Sequence, residues 1–126
     1  MPRILIAEDD EPVRALVARA LLEDGHDVVT APDGAEALDR LARENGAFDL
    51  LLTDIKMPVM DGIALALAAA RDFPDLTILL MTGFADQRER ASNLSALIYD
   101  VITKPFSVAD IRTAVADALA SRKDAR

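Results

Sequence analysis

At 126 residues the chain has the length of one domain, enough to bury roughly two thirds of its unfolded surface without a disulfide or structural metal. Fourteen Lys and Arg against 22 Asp and Glu leave a net charge of −8. That balance disfavours nucleic acid or an anionic membrane as a direct partner, since both select for a basic face. The absence of cysteine excludes disulfides, thiol nucleophiles and cysteine-ligated metals. The start is too short for a signal peptide, and no apolar run approaches the ~18 residues that span a bilayer. A soluble, cytoplasmic protein is expected, with residues 1–126 forming a single domain and no output domain.

Taken in chain order, apolar runs and amphipathic stretches alternate five times. A first strand is predicted at about 3–7 (Ile4-Leu5-Ile6-Ala7), followed by a helix at about 11–24 with a stripe of Val13, Leu16, Val17, Ala20 and Leu21. A second strand is expected at about 27–31 and a helix at 34–45 carrying Leu38, Leu41 and Ala42. The third pair is a strand at 48–53 and a helix at 61–73 with Ile63, Leu67 and Ala70. The fourth strand, at 76–81, precedes a polar segment at 85–94 that reads as a short or irregular helix. A strand at 98–103 and a helix at 107–121, with Val108, Ile111, Val115 and Leu119, complete the series. Ser107 with Asp110 three residues on reads as a capping box.

Three strands are continuously apolar, as parallel strands covered on both faces are. Five strand–helix repeats imply right-handed crossovers and an α/β parallel sheet. In such sheets ligands bind beyond the carboxyl ends of the strands. Here the first strand runs into Glu8-Asp9-Asp10, the third into Asp54, the fourth into Thr82 and the fifth into Lys104-Pro105. The second ends only in a turn, Ala31-Pro32-Asp33-Gly34. Each residue alone has an ordinary explanation as a helix-dipole acid, turn residue or solvated lysine. Four strands ending in convergent polar chemistry argue for a site.

Carboxylates crowded within ~4 Å repel by ~1–4 kcal/mol per pair at effective dielectrics of 80 to 20. Oxygen ligands without His or Cys suit magnesium, which accepts phosphate oxygens beside one or two carboxylates. Lys104 offers a compact positive charge and Thr82 a hydroxyl, parts suited to a transferring phosphoryl group. No phosphate-binding glycine motif occurs, and the single histidine, His26, is expected at the surface far from this edge. The phosphoryl donor is therefore another molecule.

The runs Ile-Leu-Ile-Ala-Glu8-Asp9-Asp10, Leu-Leu-Leu-Thr-Asp54-Ile-Lys-Met57-Pro58-Val-Met60-Asp61-Gly62, Leu-Met-Thr82-Gly83 and Thr-Lys104-Pro105-Phe106 resemble, in order, the receiver domain of two-component response regulators over about residues 3–120. The resemblance implies a doubly wound, flavodoxin-like (βα)5 fold with strand order 2-1-3-4-5. It makes Asp54 the phosphoacceptor, with Glu8, Asp9, Asp54 and the Lys56 carbonyl as magnesium ligands, and Asp10 as a helix cap. Thr82 becomes the switch hydroxyl and Lys104 the phosphate-contacting lysine, preceding a cis bond to Pro105. Phe84 would hinder attacking water. The aromatic that many receivers carry three residues before the lysine is replaced by Val101, and Tyr99, two residues earlier, faces the same side.

These features imply a single-domain response regulator taking a phosphoryl group from a phosphohistidine of a sensor kinase or histidine phosphotransfer protein, and signalling through protein contacts. Short single-domain receivers of the CpdR type are similar, and in that group the output is a regulated protease complex. A phosphorelay intermediate or phosphate sink is an alternative. No free-substrate turnover is expected. A magnesium phosphohydrolase with an aspartyl nucleophile would want a second acid two residues after Asp54, where Lys56 stands. Flavin binding finds little to grip, with one Tyr and no Trp, and a truncated DNA-binding regulator is disfavoured by the charge.

Overall fold

The structure is a computed structural model and describes residues 1–83, 85–104 and 106–124. The expectations placed on Phe84 and on the Lys104–Pro105 bond therefore fall outside the described residues. Ten elements alternate: β1 (Arg3–Ala7), α1 (Glu11–Glu23), β2 (Asp27–Ala31), α2 (Gly34–Arg43), β3 (Leu50–Asp54), α3 (Gly62–Asp72), β4 (Thr77–Thr82), α4 (Ala85–Ser92), β5 (Asp100–Thr103) and α5 (Val108–Asp124). All strand pairs are parallel, in the order β2-β1-β3-β4-β5, as the resemblance implied.

Because successive side chains of a strand alternate faces, the sheet divides the core in two. Leu5, Leu51, Ile78 and Leu80 pack with Ala37, Leu41, Leu65 and Ala69 of α2 and α3. Ile4, Ile6, Leu50, Leu52, Leu79 and Met81 face Val17 and Leu21 of α1 and Ile111, Val115 and Ala118 of α5. Every residue of β3 is buried, which is why it is apolar from Leu50 to Leu52, and the buried Thr53 hydroxyl is satisfied by donating to Asp54 O at 2.9 Å.

Local chemistry sets the helix starts. Asp10, Asp33 and Asp61 cap α1, α2 and α3 by accepting from Val13 N, Glu36 N and Ala64 N at 3.2, 2.8 and 2.8 Å. Ser107 and Asp110 form the reciprocal capping box of α5: Ser107 N donates to Asp110 Oδ2 at 2.8 Å and Asp110 N to Ser107 Oγ at 3.1 Å.

Three expectations need correction. Leu16 is exposed, at the rim of an apolar groove between α1 and α5 lined by Val13, Val17, Phe106 and Ile111. On α3 the buried face is Ile63, Leu65, Ala66 and Ala69, leaving Leu67 exposed. That helix is apolar nearly all round, so periodicity could not choose its face. Its rotation is set where Gly62 meets β3, since a Cβ on Gly62 would lie 2.1 Å from the Asp54 carbonyl oxygen. His26 is half-buried rather than superficial. The turn at Gly25 (φ 88) folds the chain back so that His26 N donates to Leu21 O at 3.2 Å, and His26 Nδ1 is enclosed without a hydrogen-bond partner. It still lies at the entry of β2, the far end from the polar strand termini.

Candidate functional site

Parallel pairing brings the carboxyl ends of β1, β3, β4 and β5 to one edge. Ala7 pairs with Thr53, Asp54 with Met81, and Thr82 with Thr103, so the residues that follow these positions share one cleft. It encloses about 340 Å³ and is lined by Glu8, Asp9, Asp10, Val13, Asp54, Lys56, Gly83 and Lys104. A cleft of similar size, about 360 Å³, opens at the opposite edge among Pro74, Leu76, Leu97 and Tyr99, and among the described residues Asp75 is the one charged group that lines it.

Glu8, Asp9 and Asp54 each place a carboxylate oxygen within 4.8 Å of the others. Asp54 sits on the last residue of β3 and is 6% exposed. Its Oδ1 accepts from Ile55 N at 2.9 Å, and its Oδ2 from Lys104 Nζ at 3.2 Å. Glu8 is fully buried; Oε2 accepts from Asp10 N at 3.2 Å, while Oε1 has no hydrogen-bond partner and lies 3.6 Å from Lys104 Nζ. Burial and the neighbouring Asp54 charge push the Glu8 carboxyl up to about 7. The partial burial of Lys104 opposes its charge, but attraction to Asp54 and Glu8 outweighs this and its ammonium is held above its usual range. Asp9 is exposed at the cleft mouth.

The remaining predicted residues fall where strand-end reasoning put them. Thr82 is fully buried at the end of β4, and its carbonyl accepts from Lys104 N at 2.7 Å, which joins the two strand ends. Lys56 lines the cleft two residues after Asp54. Asp10, at the cleft rim, caps α1. Val101 is half-buried against the core, and both Val101 and Tyr99 line a groove beside α4.

Sequence reasoning overlooked the supports beneath these side chains. Arg14 Nη1 reaches back to donate to the Glu8 carbonyl at 2.9 Å. Gly62 lets α3 approach the Asp54 carbonyl, and Gly62 N donates to Ile55 O at 2.7 Å. A glycine at the start of a helix, where it is not a C-terminal stop, is the one signal that pointed to such close contact.

A convergent, oxygen-rich acidic cluster facing a lysine can bind a hard divalent cation and stabilise an anionic group beside it. The buried, unpartnered Glu8 Oε1 is an acceptor that a hydrated cation would satisfy, so the donor set fits magnesium. Comparison with known proteins agrees. The family profile described as response regulator receiver domain matches residues 4–116. The response regulator receiver protein CpdR of Brucella abortus is 43% identical over 111 residues, covering 88% of this chain and 91% of that protein. A CheY-like receiver domain protein of Methanospirillum hungatei superposes with a TM-score of 0.91 at 28% identity, over 100% of this chain and 99% of that one. The response regulator TrrA of Thermotoga maritima, solved in complex with Mg(2+)-BeF, superposes with a TM-score of 0.82 at 30% identity, over 94% and 99% of the two chains.

Proposed function

Since the chain belongs to the response regulator receiver domain family, we propose that Asp54 accepts a phosphoryl group from a phosphohistidine of a sensor kinase or histidine phosphotransfer protein, and that the phosphorylated state is read by another protein. The observation that carries this reading is the placement of Asp54 within reach of Glu8, Asp9 and Lys104 in one cleft. An Asp54 oxygen attacks phosphorus in line. The P–N bond of the donor breaks, its electron pair returns to the imidazole, and an acyl phosphate remains on Asp54.

Lys104 sits with its ammonium 3.2 Å from Asp54 Oδ2, positioned to follow a phosphoryl oxygen once the carboxylate is esterified. Ile55 N–H holds Oδ1 and so fixes the plane of the nucleophile. The buried β3 end keeps that carboxylate from rotating into solvent. Thr82 supplies a hydroxyl at the neighbouring strand end and would turn toward the new phosphoryl oxygens. Asp9, Asp54, Glu8 and the Lys56 carbonyl would hold magnesium, which when bound neutralises charge on the phosphoryl oxygens.

Receiver domains are signalling modules rather than turnover enzymes, and Lys56 stands where a phosphohydrolase of the aspartyl type wants a second acid. The experiment is phosphoryl transfer from a radiolabelled phosphohistidine donor. Loss of label in Asp54→Asn, with the parent labelled one to one, supports the reading; equal labelling of both proteins refutes it.

A further inference from the structure

Asp9 stands at the mouth of the cleft, yet none of the described hydrogen bonds or ion pairs holds its carboxylate. Its neighbours are each anchored: Glu8 by Asp10 N, and Asp10 by Val13 N. The direction in which Asp9 projects is therefore set by its backbone alone.

That backbone has a side-chain support on each side: the peptide after Asp9 is held where Asp10 N donates to Glu8 Oε2 at 3.2 Å, and the peptide before it is held by Arg14. Beyond Ala7 the chain leaves β1, and Glu8 N still finds a strand partner, donating to Ala31 O at 3.1 Å. The Glu8 carbonyl instead accepts from Arg14 Nη1 at 2.9 Å. Arg14 is itself tied into the first turn of α1, with Arg14 N donating to Asp10 O at 2.9 Å. The Glu8 carbonyl and the Asp9 amide belong to one planar peptide group. Fixing the carbonyl thus fixes the amide and the point from which the Asp9 side chain departs. Arg14 has no described ion pair that would divert it to another task.

Resting on the magnesium reading above, we infer that Arg14 is a positioning residue for the cation site: its guanidinium clamps the Glu8–Asp9 peptide and thereby aims Asp9 at the cleft. The sign of its effect separates this role from electrostatics. A guanidinium near the cleft repels a cation, so loss of its charge alone would tighten magnesium binding. Loss of the clamp weakens it. Arg14→Met keeps the apolar stem and removes both the charge and the donors; Arg14→Gln is neutral and too short to reach the carbonyl; Arg14→Lys keeps the charge and a single donor.

The test is a magnesium chloride titration of the whole chain, followed by the rise in melting temperature and by the backbone amide resonance of Asp9. The expected result is a half-saturating magnesium concentration raised at least five-fold in Arg14→Met and Arg14→Gln, a shifted Asp9 amide before any magnesium is added, and an intermediate value for Arg14→Lys. Either neutral variant decides the matter if the other fails to fold. Binding as tight as the parent's or tighter in a folded neutral variant overturns the inference. No magnesium response in the parent would instead overturn the reading on which it rests.

Discussion

At the scale of single residues, two groups hold positions that the fold opposes. Glu8 is a carboxyl with no exposure beside a second carboxylate, and it keeps its proton up to about pH 7, whereas an unfolded glutamate releases it near 4.5. Between those values the native state binds more protons than the unfolded state, so stability falls as pH rises through the window and levels off above it. Without divalent cation, the melting temperature should therefore decline from about pH 5 to pH 8, and Glu8→Gln should flatten the profile. A parent profile that rises over this range would contradict the assignment. Val59 is the second case: a β-branched residue at φ 68, 84% exposed, in the loop after Asp54. Such backbone costs on the order of 1–3 kcal/mol in a residue with a Cβ. Val59→Gly removes that strain and loses little burial, and chemical denaturation should report a gain of about 1 kcal/mol after the entropic cost of glycine.

At the scale of elements, each helix is tied to the site to a different degree. Helix α1 supplies the Asp10 cap and the Arg14 contact, and α3 abuts the Asp54 carbonyl through Gly62. Helix α4 is eight residues long and polar, and among the described residues Ala91 is its buried side chain, while Arg90 reaches the Asp61 cap of α3 at 3.5 Å. An exposed pair of this kind contributes at most about 1 kcal/mol. Among its described residues, α4 is thus held by the buried Ala91 and one weak surface pair. Helix α5 is fastened at its start by the Ser107–Asp110 box. Ser107→Ala should cost about 1 kcal/mol in urea unfolding, and an unchanged midpoint would mean the cap is replaced by water.

At the scale of the whole molecule, the cleft concentrates negative charge in a chain already at −8. Millimolar magnesium should raise the melting temperature, because a ligand that binds the native state alone stabilises it by mass action. Asp54→Asn removes one repelling carboxylate and one partner of Lys104 together, for a net gain of about 1 kcal/mol without magnesium, and a smaller magnesium-induced shift than the parent's. Scanning calorimetry of both proteins with and without the salt reads all four states. A larger shift in the variant would remove Asp54 from the cation site.

The order of elements, the parallel sheet and the polar strand ends were all legible in the linear chain. Apolar runs such as Leu50-Leu51-Leu52 and the acids or lysine that follow them are local features, and local periodicity reports them. Element ends shifted by a few residues: β3 begins at Leu50 and α4 stops at Ser92. What only the tertiary structure decided is which face each helix turns inward and what holds the site side chains in place. Leu16 and Leu67 satisfy a helical stripe yet are exposed, because the rotation of α1 and α3 is set by contacts with other elements. The link from Arg14 to the Glu8 carbonyl and the burial of Glu8 beside Asp54 likewise follow from where strands end relative to one another. A sequence pattern specifies which residues prefer the interior; the distances between groups far apart in the chain arise only when the sheet register and the helix packing are satisfied together.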